Sequence, residues 1–538
     1  MPYEKHLINV SGRQLNEILE LIKLALHDFH STNYTHCYSV DNTPMILKVT
    51  DGIGKLEPMS IERIQEELSY AADFFFNDNR GKQKALCEPP IFIAKQILDQ
   101  PNKYLKELKG ICYSPVIYNG YLFSDAPQWV FTPRFSRESG LYRVMSLGTE
   151  KLLTAAGDIN DQLPENLEHL EIMASQALDY LFNEVLVDFA FATPADRANA
   201  LVAILHFMLC NYIKAPTPIY MIEAACANSG KSTLAKVISI IANGFESNMI
   251  TVEDDTSNSE FSKLITSKLR EKPSIFILDN VNFEIKSARL CSIVSEGKSS
   301  DRVLGMSRMV DIDCKGCQFI ITANAPMMTY EVARRSIRIR LALSAVGREF
   351  KHDIVEYVKT NRPKILQALI YIVQLWLLKD AKPGNKKLNS FERWSSVMSG
   401  ILEANKVAGF LDNLQETQAA YDKTEIDLAA LFDSWFNSNE PPIAASPSAL
   451  YSLSRKKSLL LDKLTSSSDS GRLAQFVKLL RRYLDRPLGG YTVKSQINSH
   501  TGNNEYLITS VDPNKKARLN NVIELASASN RHNKPAES

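Results

Sequence analysis

Eight consecutive residues, Ala225-Cys226-Ala227-Asn228-Ser229-Gly230-Lys231-Ser232, have the types and spacing to bind a chain of phosphates. An apolar run, Ile219-Tyr220-Met221-Ile222, precedes them, and a helical stretch opens from Thr233. A tight loop between strand and helix turns successive backbone N–H groups, and the helix N-terminus, toward an anion. Residues 225–233 are therefore expected to cradle ATP. Lys231 reaches the β- and γ-phosphates, and the Ser232 hydroxyl holds Mg²⁺. The pattern asks for Gly at its first position, where this chain has Ala225.

Three further pieces follow in order. Ser274-Ile275-Phe276-Ile277-Leu278-Asp279-Asn280 reads as a buried parallel strand with an acid at its C-terminal end, where open α/β sheets place ligand chemistry. Asp279 is expected to hold the magnesium. A third strand, Gln318 to Asn324, ends in an amide suited to orient water against the γ-phosphate. Arg334-Arg335 then precede an alternating strand, Ser336 to Leu343, where an arginine can act on a neighbouring subunit's nucleotide.

The elements that must position these residues are legible in outline. Residues 1–86 read as a small α/β unit, with a helix from Gly12 to Phe29 capped by Ser11, strands near Thr35–Ser39 and Met45–Val49, and a helix from Ile61 to Phe76. Residues 87–200 form an irregular connector and a helical lead-in. Residues 201–345 hold the ATP-binding core, and 346–412 form a helical lid that includes Arg362–Leu378 and Ser390–Ala404. Residues 413–512 read as helices followed by a hairpin, Gly490–Lys494 against Glu505–Ile508, the order of a winged helix. Within 451–490, nine Lys and Arg face three acids, an excess suited to phosphate backbones. Arg472, Lys478, Arg481 and Arg482 are the candidate DNA contacts there. A second hairpin, with arms at 295–304 and 308–313, is inserted before the third core strand and offers Lys298 and Arg308 to a nucleic-acid backbone. Residues 513–538 read as a disordered tail.

Bulk properties bound the class. The 538 residues are 45% hydrophobic and 23% charged, an ordinary globular composition with room for several domains. A formal net charge of +1 excludes polycation-like binding, so a nucleic-acid surface must be local. No apolar run is long enough for a membrane span, and no signal peptide is visible, which suggests a cytoplasmic protein with no membrane partner. Eight scattered cysteines fit a reducing compartment. Cys314-Lys315-Gly316-Cys317 has zinc-like spacing without a second pair, and His27, His30, His36 and Cys37 cluster at a helix end; neither is expected to bind metal.

Taken together, Ala227–Ser232, Ile277-Leu278-Asp279-Asn280-Val281, Asp301–Gly305, Thr322-Ala323-Asn324 and Ala333-Arg334-Arg335 resemble the AAA+ helicases of phages and mobile elements, relatives of superfamily-3 helicases and of the helicase half of phage primase–helicases. Flanks agree: Asp188-Phe189-Ala190-Phe191 and Asp196-Arg197-Ala198 resemble the family's lead-in. Asn361-Arg362-Pro363 and Ser390–Ser395 resemble its lid. The resemblance implies a multidomain α/β chain with a superfamily-3-like P-loop core, assembled as a hexameric ring on DNA. It would unwind DNA with ATP and Mg²⁺ during replication of a phage, prophage or mobile element, with a primase or initiator as a possible partner. Three departures stand out: Ala225, a Gly-Asn-Asn site reduced to Ala323-Asn324-Ala325, and Asn280 where many AAA+ ATPases carry the water-activating Glu. That base is unassigned, with Glu223 and Glu284 as guesses. Asn280 keeps open an ATP-gated DNA-binding switch or defence ATPase that assembles without unwinding. A protein remodeller is disfavoured for want of an aromatic pore loop.

Overall fold

A computed structural model describes residues 3–11, 13–32, 36–77, 84–119, 127–130, 134–137, 139–146, 149, 163–164, 166–224, 228–252, 258–283, 285, 287–302, 309–324, 328–342, 349–414, 416, 423–437, 444–497 and 504–511. Ala225, Cys226, Ala227, Glu284, Arg308, Ala325 and the 513–538 tail lie outside them. The chain divides into two units, Met1–Pro326 with Arg334–Leu414, and Met327–Ala333 with Gln415–Ser538.

The first unit opens with a mixed module. Its first helix is Leu15–Thr32, beginning beyond the expected cap. Ser11 does not cap it; its hydroxyl donates to Asn9 Oδ1 (2.9 Å) and accepts from the Asn77 amide (3.0 Å). The helix from Ile61 stops at Ala71, and Ala72–Asn77 is a strand rather than more helix. Phe74, Phe75 and Phe76 fit either period, and pairing with His6–Asn9 and Lys84–Cys87 decides for the strand.

The same unit contains a five-stranded sheet. Its spatial order is Met249–Ile250, Ile275–Val281, Gln318–Asn324, Ile219–Ala224, Ser336–Leu341, and every pair is parallel. Ile219–Ala224 is buried along its whole length, as a strand covered on both faces must be. Helix Pro194–Ile213, with nearly every residue buried, joins the sheet through Gln318, whose Nε2 donates to the Ala203 carbonyl (2.8 Å). Because Gln318–Asn324 lies between the phosphate-loop strand and the acid strand, the ends of all three converge.

The lid helix runs Ile354–Leu378, starting well before the expected Arg362. Pro363 lies inside it. A proline ordinarily marks a helix start, since it donates no main-chain bond. Here burial of Ile354, Val358, Arg362 and Ile365 outweighs that loss. A second lid helix spans Glu392–Ala404.

The second unit has helices Lys423–Asn437, Pro447–Lys456 and Asp469–Arg481, then an antiparallel hairpin, Tyr491–Ile497 with Asn504–Ser510. Ala445 adds an antiparallel bridge to Tyr506. Leu428, Phe432, Leu450, Phe476, Leu480 and Tyr506 form its core. Among the described residues no helix is long and apolar enough to cross a membrane.

Candidate nucleotide site

The phosphate loop ends in a demanding backbone. Asn228 has φ 55° and Gly230 φ 90°, and helix Lys231–Asn243 begins directly after. At that φ a side chain would strain position 230, which explains Gly there. The Phe189 ring lies 3.6 Å from where a Cβ would stand, so the lead-in packs against the loop.

Lys231 and Ser232 occupy the first helical turn. Lys231 is 6% exposed; its Nζ donates to Ser229 Oγ (3.0 Å) and to Asn324 Oδ1 (2.6 Å). Ser232 Oγ donates to Asp279 Oδ1 (2.7 Å). The structure thus brings together Lys231, Ser232, Asp279 and Asn324, from two adjacent strands and one helix. Thr233 follows on the same turn.

A one-residue bulge shapes the acid strand. Leu278 pairs with Ile321 and Val281 with Ala323, so three steps on one strand match two on its neighbour. Asn280 takes φ 54°, a left-handed conformation that Asn tolerates better than Glu. Its Oδ1 accepts from Asn324 Nδ2 (3.3 Å). The sequence reading missed Thr322. Its hydroxyl donates to Asp279 Oδ1 (2.6 Å) and accepts from the Asn280 amide (2.8 Å), fixing the acid and the bulge together. The available signal was one hydroxyl in the otherwise apolar run Phe319-Ile320-Ile321-Thr322-Ala323.

A carboxylate with two hydroxyls is a hard-oxygen set. That set fits Mg²⁺, which keeps several waters and takes only one or two protein ligands beside substrate phosphates. Among the described residues no group of three or more His, Cys, Asp or Glu is placed to hold a metal ion. Burial pushes the Cys314 thiol up to about 12 and raises the Cys317 thiol as well.

Other charged residues are occupied in scaffolding. Glu223 is 3% exposed and pairs with Arg338 on the adjacent strand. Asp196 is fully buried and accepts from Thr193 Oγ1 (2.6 Å), Asn413 Nδ2 (2.9 Å) and Arg340 Nε (3.3 Å). Asp188 accepts from the Lys351 and His352 amides (2.9 and 3.1 Å), which ties the lead-in to the approach of the lid helix.

Arg334 and Arg335 form the turn before Ser336–Leu341, at the sheet end opposite the phosphate loop. Arg335 Nε donates to Ser295 Oγ (2.5 Å). Lys298 is exposed at the root of the hairpin Lys298–Arg302/Met309–Asp313, paired with Asp313 rather than near the tip. In the second unit Lys478, Arg481 and Arg482 share one exposed stripe at the end of helix Asp469–Arg481. Arg472 stands apart, half-buried, with its Nε donating to the Ser466 carbonyl (2.7 Å).

No protein-family description matches this chain, and no curated protein matches it. Solved structures similar to it include the apo C-terminal region of NrS-1, at 11% identity and TM-score 0.34 over 90% of this chain and 98% of that one. Another is SCCmec type IV Cch, an active helicase, at 10% identity and TM-score 0.33 over 87% and 91%. A third, JCV helicase, is 15% identical with TM-score 0.20 over 46% and 69%. These scores are low, and the reading of the site rests on its own geometry.

Proposed function

We propose that this chain is a Mg²⁺-dependent ATPase that translocates on DNA, a helicase serving replication of a phage, prophage or mobile element. The observation that carries the ATPase is the convergence of Lys231, Ser232, Asp279 and Asn324 at the C-terminal ends of adjacent parallel strands. Lys231 and Ser232 would bind the phosphates. Ser232 and Asp279 would hold Mg²⁺, which neutralises charge shared by the β- and γ-oxygens. Asn324, already bonded to Lys231, would report the γ-phosphate. The inserted hairpin, and the basic stripe on a unit with winged-helix element order, are the proposed DNA surfaces. A hexameric ring is the proposed assembly, with the Arg334-Arg335 turn completing a neighbour's site.

Hydrolysis measured with and without single-stranded DNA, beside strand displacement from a forked duplex, tests this. DNA-stimulated turnover with displacement, abolished by EDTA, is expected. Lys231→Ala should lose hydrolysis while keeping DNA binding, and retained hydrolysis would sink the assignment.

Asn280 favours a second reading, an ATP-gated DNA-binding switch. The residue after the metal-site acid is an amide in left-handed backbone, and an amide is no general base. Slow, DNA-indifferent turnover without displacement would select the switch.

A further inference from the structure

A cavity of about 310 Å³ lies at the N-terminal ends of the parallel strands, in the first unit and away from the phosphate loop. Ser274 and Cys317, which immediately precede the strands Ile275–Val281 and Gln318–Asn324, both line it. Six residue steps of ~3.3 Å along Gln318–Asn324 set it about 20 Å from Asn324, so it is no extension of the nucleotide site. Its opposite wall comes from the 109–118 segment, which precedes the ATP-binding core in the sequence. The volume matches roughly ten water molecules. That is larger than the packing voids of a protein interior and stands at the lower end of small-molecule sites.

The charges around the cavity are unbalanced. Lys272 is paired with Asp41 (2.7 Å), which offsets its charge. Lys109, Lys214 and Lys315 come from three separate segments, and among the described residues no carboxylate pairs with any of them. Asp313 is the one acid in the lining among the described residues, and its Oδ1 accepts from the Lys315 amide (3.1 Å). Lys214 takes φ 47° where helix Pro194–Ile213 ends, a left-handed position that glycine fills without strain. Its ammonium stands 4.1 Å from the centre of the Tyr118 ring. Three cations against one acid favour an anion.

The rest of the lining is different in kind. Phe207 supplies flat apolar surface. Asn211 is half-buried, and its carboxamide makes no hydrogen bond among the described residues. A carboxamide offers a donor and an acceptor side by side, the complement of a nucleobase edge. We infer that this cavity binds a nucleoside 5′-monophosphate, with its phosphate among Lys109, Lys214 and Lys315 and its base against Phe207 beside Asn211. The volume suits one nucleoside with one phosphate.

Calorimetric titration with adenosine 5′-monophosphate tests this, on the full chain carrying Lys231→Ala to silence the phosphate loop. A Kd of about 1 mM or tighter is expected. Adding Lys214→Gln with Lys315→Gln should weaken binding roughly tenfold or more, and adding Asn211→Leu instead roughly threefold or more. Thermal midpoints check that each variant folds, and Lys109→Gln carries the same comparison if the paired variant does not. Inorganic phosphate and adenosine, titrated separately, should each bind at least roughly tenfold more weakly than the whole nucleotide. No binding of the monophosphate, unchanged affinity in the folded lysine or Asn211 variants, or equal affinity for inorganic phosphate overturns the site. The titration needs no hydrolysis, so it is judged apart from the ATPase reading.

Discussion

At the residue scale, Asp279 is positioned by groups of unequal visibility. Ser232 belongs to a motif that declares itself, whereas Thr322 contributes a hydroxyl from the neighbouring strand. Thr322→Val keeps the shape and removes both hydrogen bonds. Hydrolysis should fall roughly tenfold or more, as for other groups that orient metal ligands, with ATP affinity much less changed. Wild-type turnover would show that Ser232 suffices to hold the acid. Asn280 yields a counterintuitive expectation. Installing the Glu that many ATPases carry should not accelerate the proposed hydrolysis, because at φ 54° Glu is less well tolerated than Asn. Asn280→Glu should lose about 1 kcal/mol in denaturant unfolding, with turnover no faster. A faster enzyme would mean the bulge relaxes and position 280 can host a base.

At the element scale, the lid helix is fastened by one buried cation. Arg362 is 1% exposed. Its guanidinium donates to the carbonyls of Ile240, Ile241 and Ala242 (2.9, 3.0 and 3.2 Å), where the phosphate-loop helix ends. It also meets Tyr113 O, Ser114 Oγ and Ser146 Oγ (3.1, 2.5 and 2.8 Å). The C-terminal end of a helix favours a cation, and these oxygens replace lost water. Burial still lowers the guanidinium to about 9. Arg362→Met should destabilise the first unit by about 3 kcal/mol or more, since it strands several buried acceptors. A change under about 1 kcal/mol would mean that water replaces the guanidinium. Elements like this mark the limit of sequence reading. The strands Ile219–Ala224, Ile275–Val281 and Gln318–Asn324 were legible because each carries a short apolar run that meets a polar residue, Glu223, Asp279 and Asn324. Their spatial order was not, because no residue announces which strand lies in the middle. Arg362 sat in a recognised lid motif, yet its partners at 113–114, 146 and 240–242 are far away in sequence. The Ile61 helix was overextended because Phe74-Phe75-Phe76 satisfies two periods until partner strands choose.

At the scale of the whole molecule, acid sensitivity is built into the first unit. His206 is fully buried, 2.6 Å from the Tyr220 hydroxyl, and burial lowers it to about 3. His30 is lowered to about 4, burial again the main cause. The unfolded chain binds these protons near pH ~6.5, while the folded chain refuses them until much lower pH. Stability should therefore be unaffected above that pH and fall below it, by at most about 1.4 kcal/mol per pH unit per histidine. Thermal midpoints from pH 7 to 4 check this, and His206→Gln should flatten the decline; an unchanged slope would assign the acid sensitivity elsewhere.

The arginine turn and the phosphate loop of the same chain lie at opposite ends of the sheet, which has one more consequence. In the proposed ring, completeness would belong to junctions between copies, not to copies. A lone chain has no complete junction, an open string of n copies has n − 1, and closing the string adds one more without adding a chain. Activity per chain should then rise steeply with dilution reversed, and a closed circle gains a catalytic unit from topology alone.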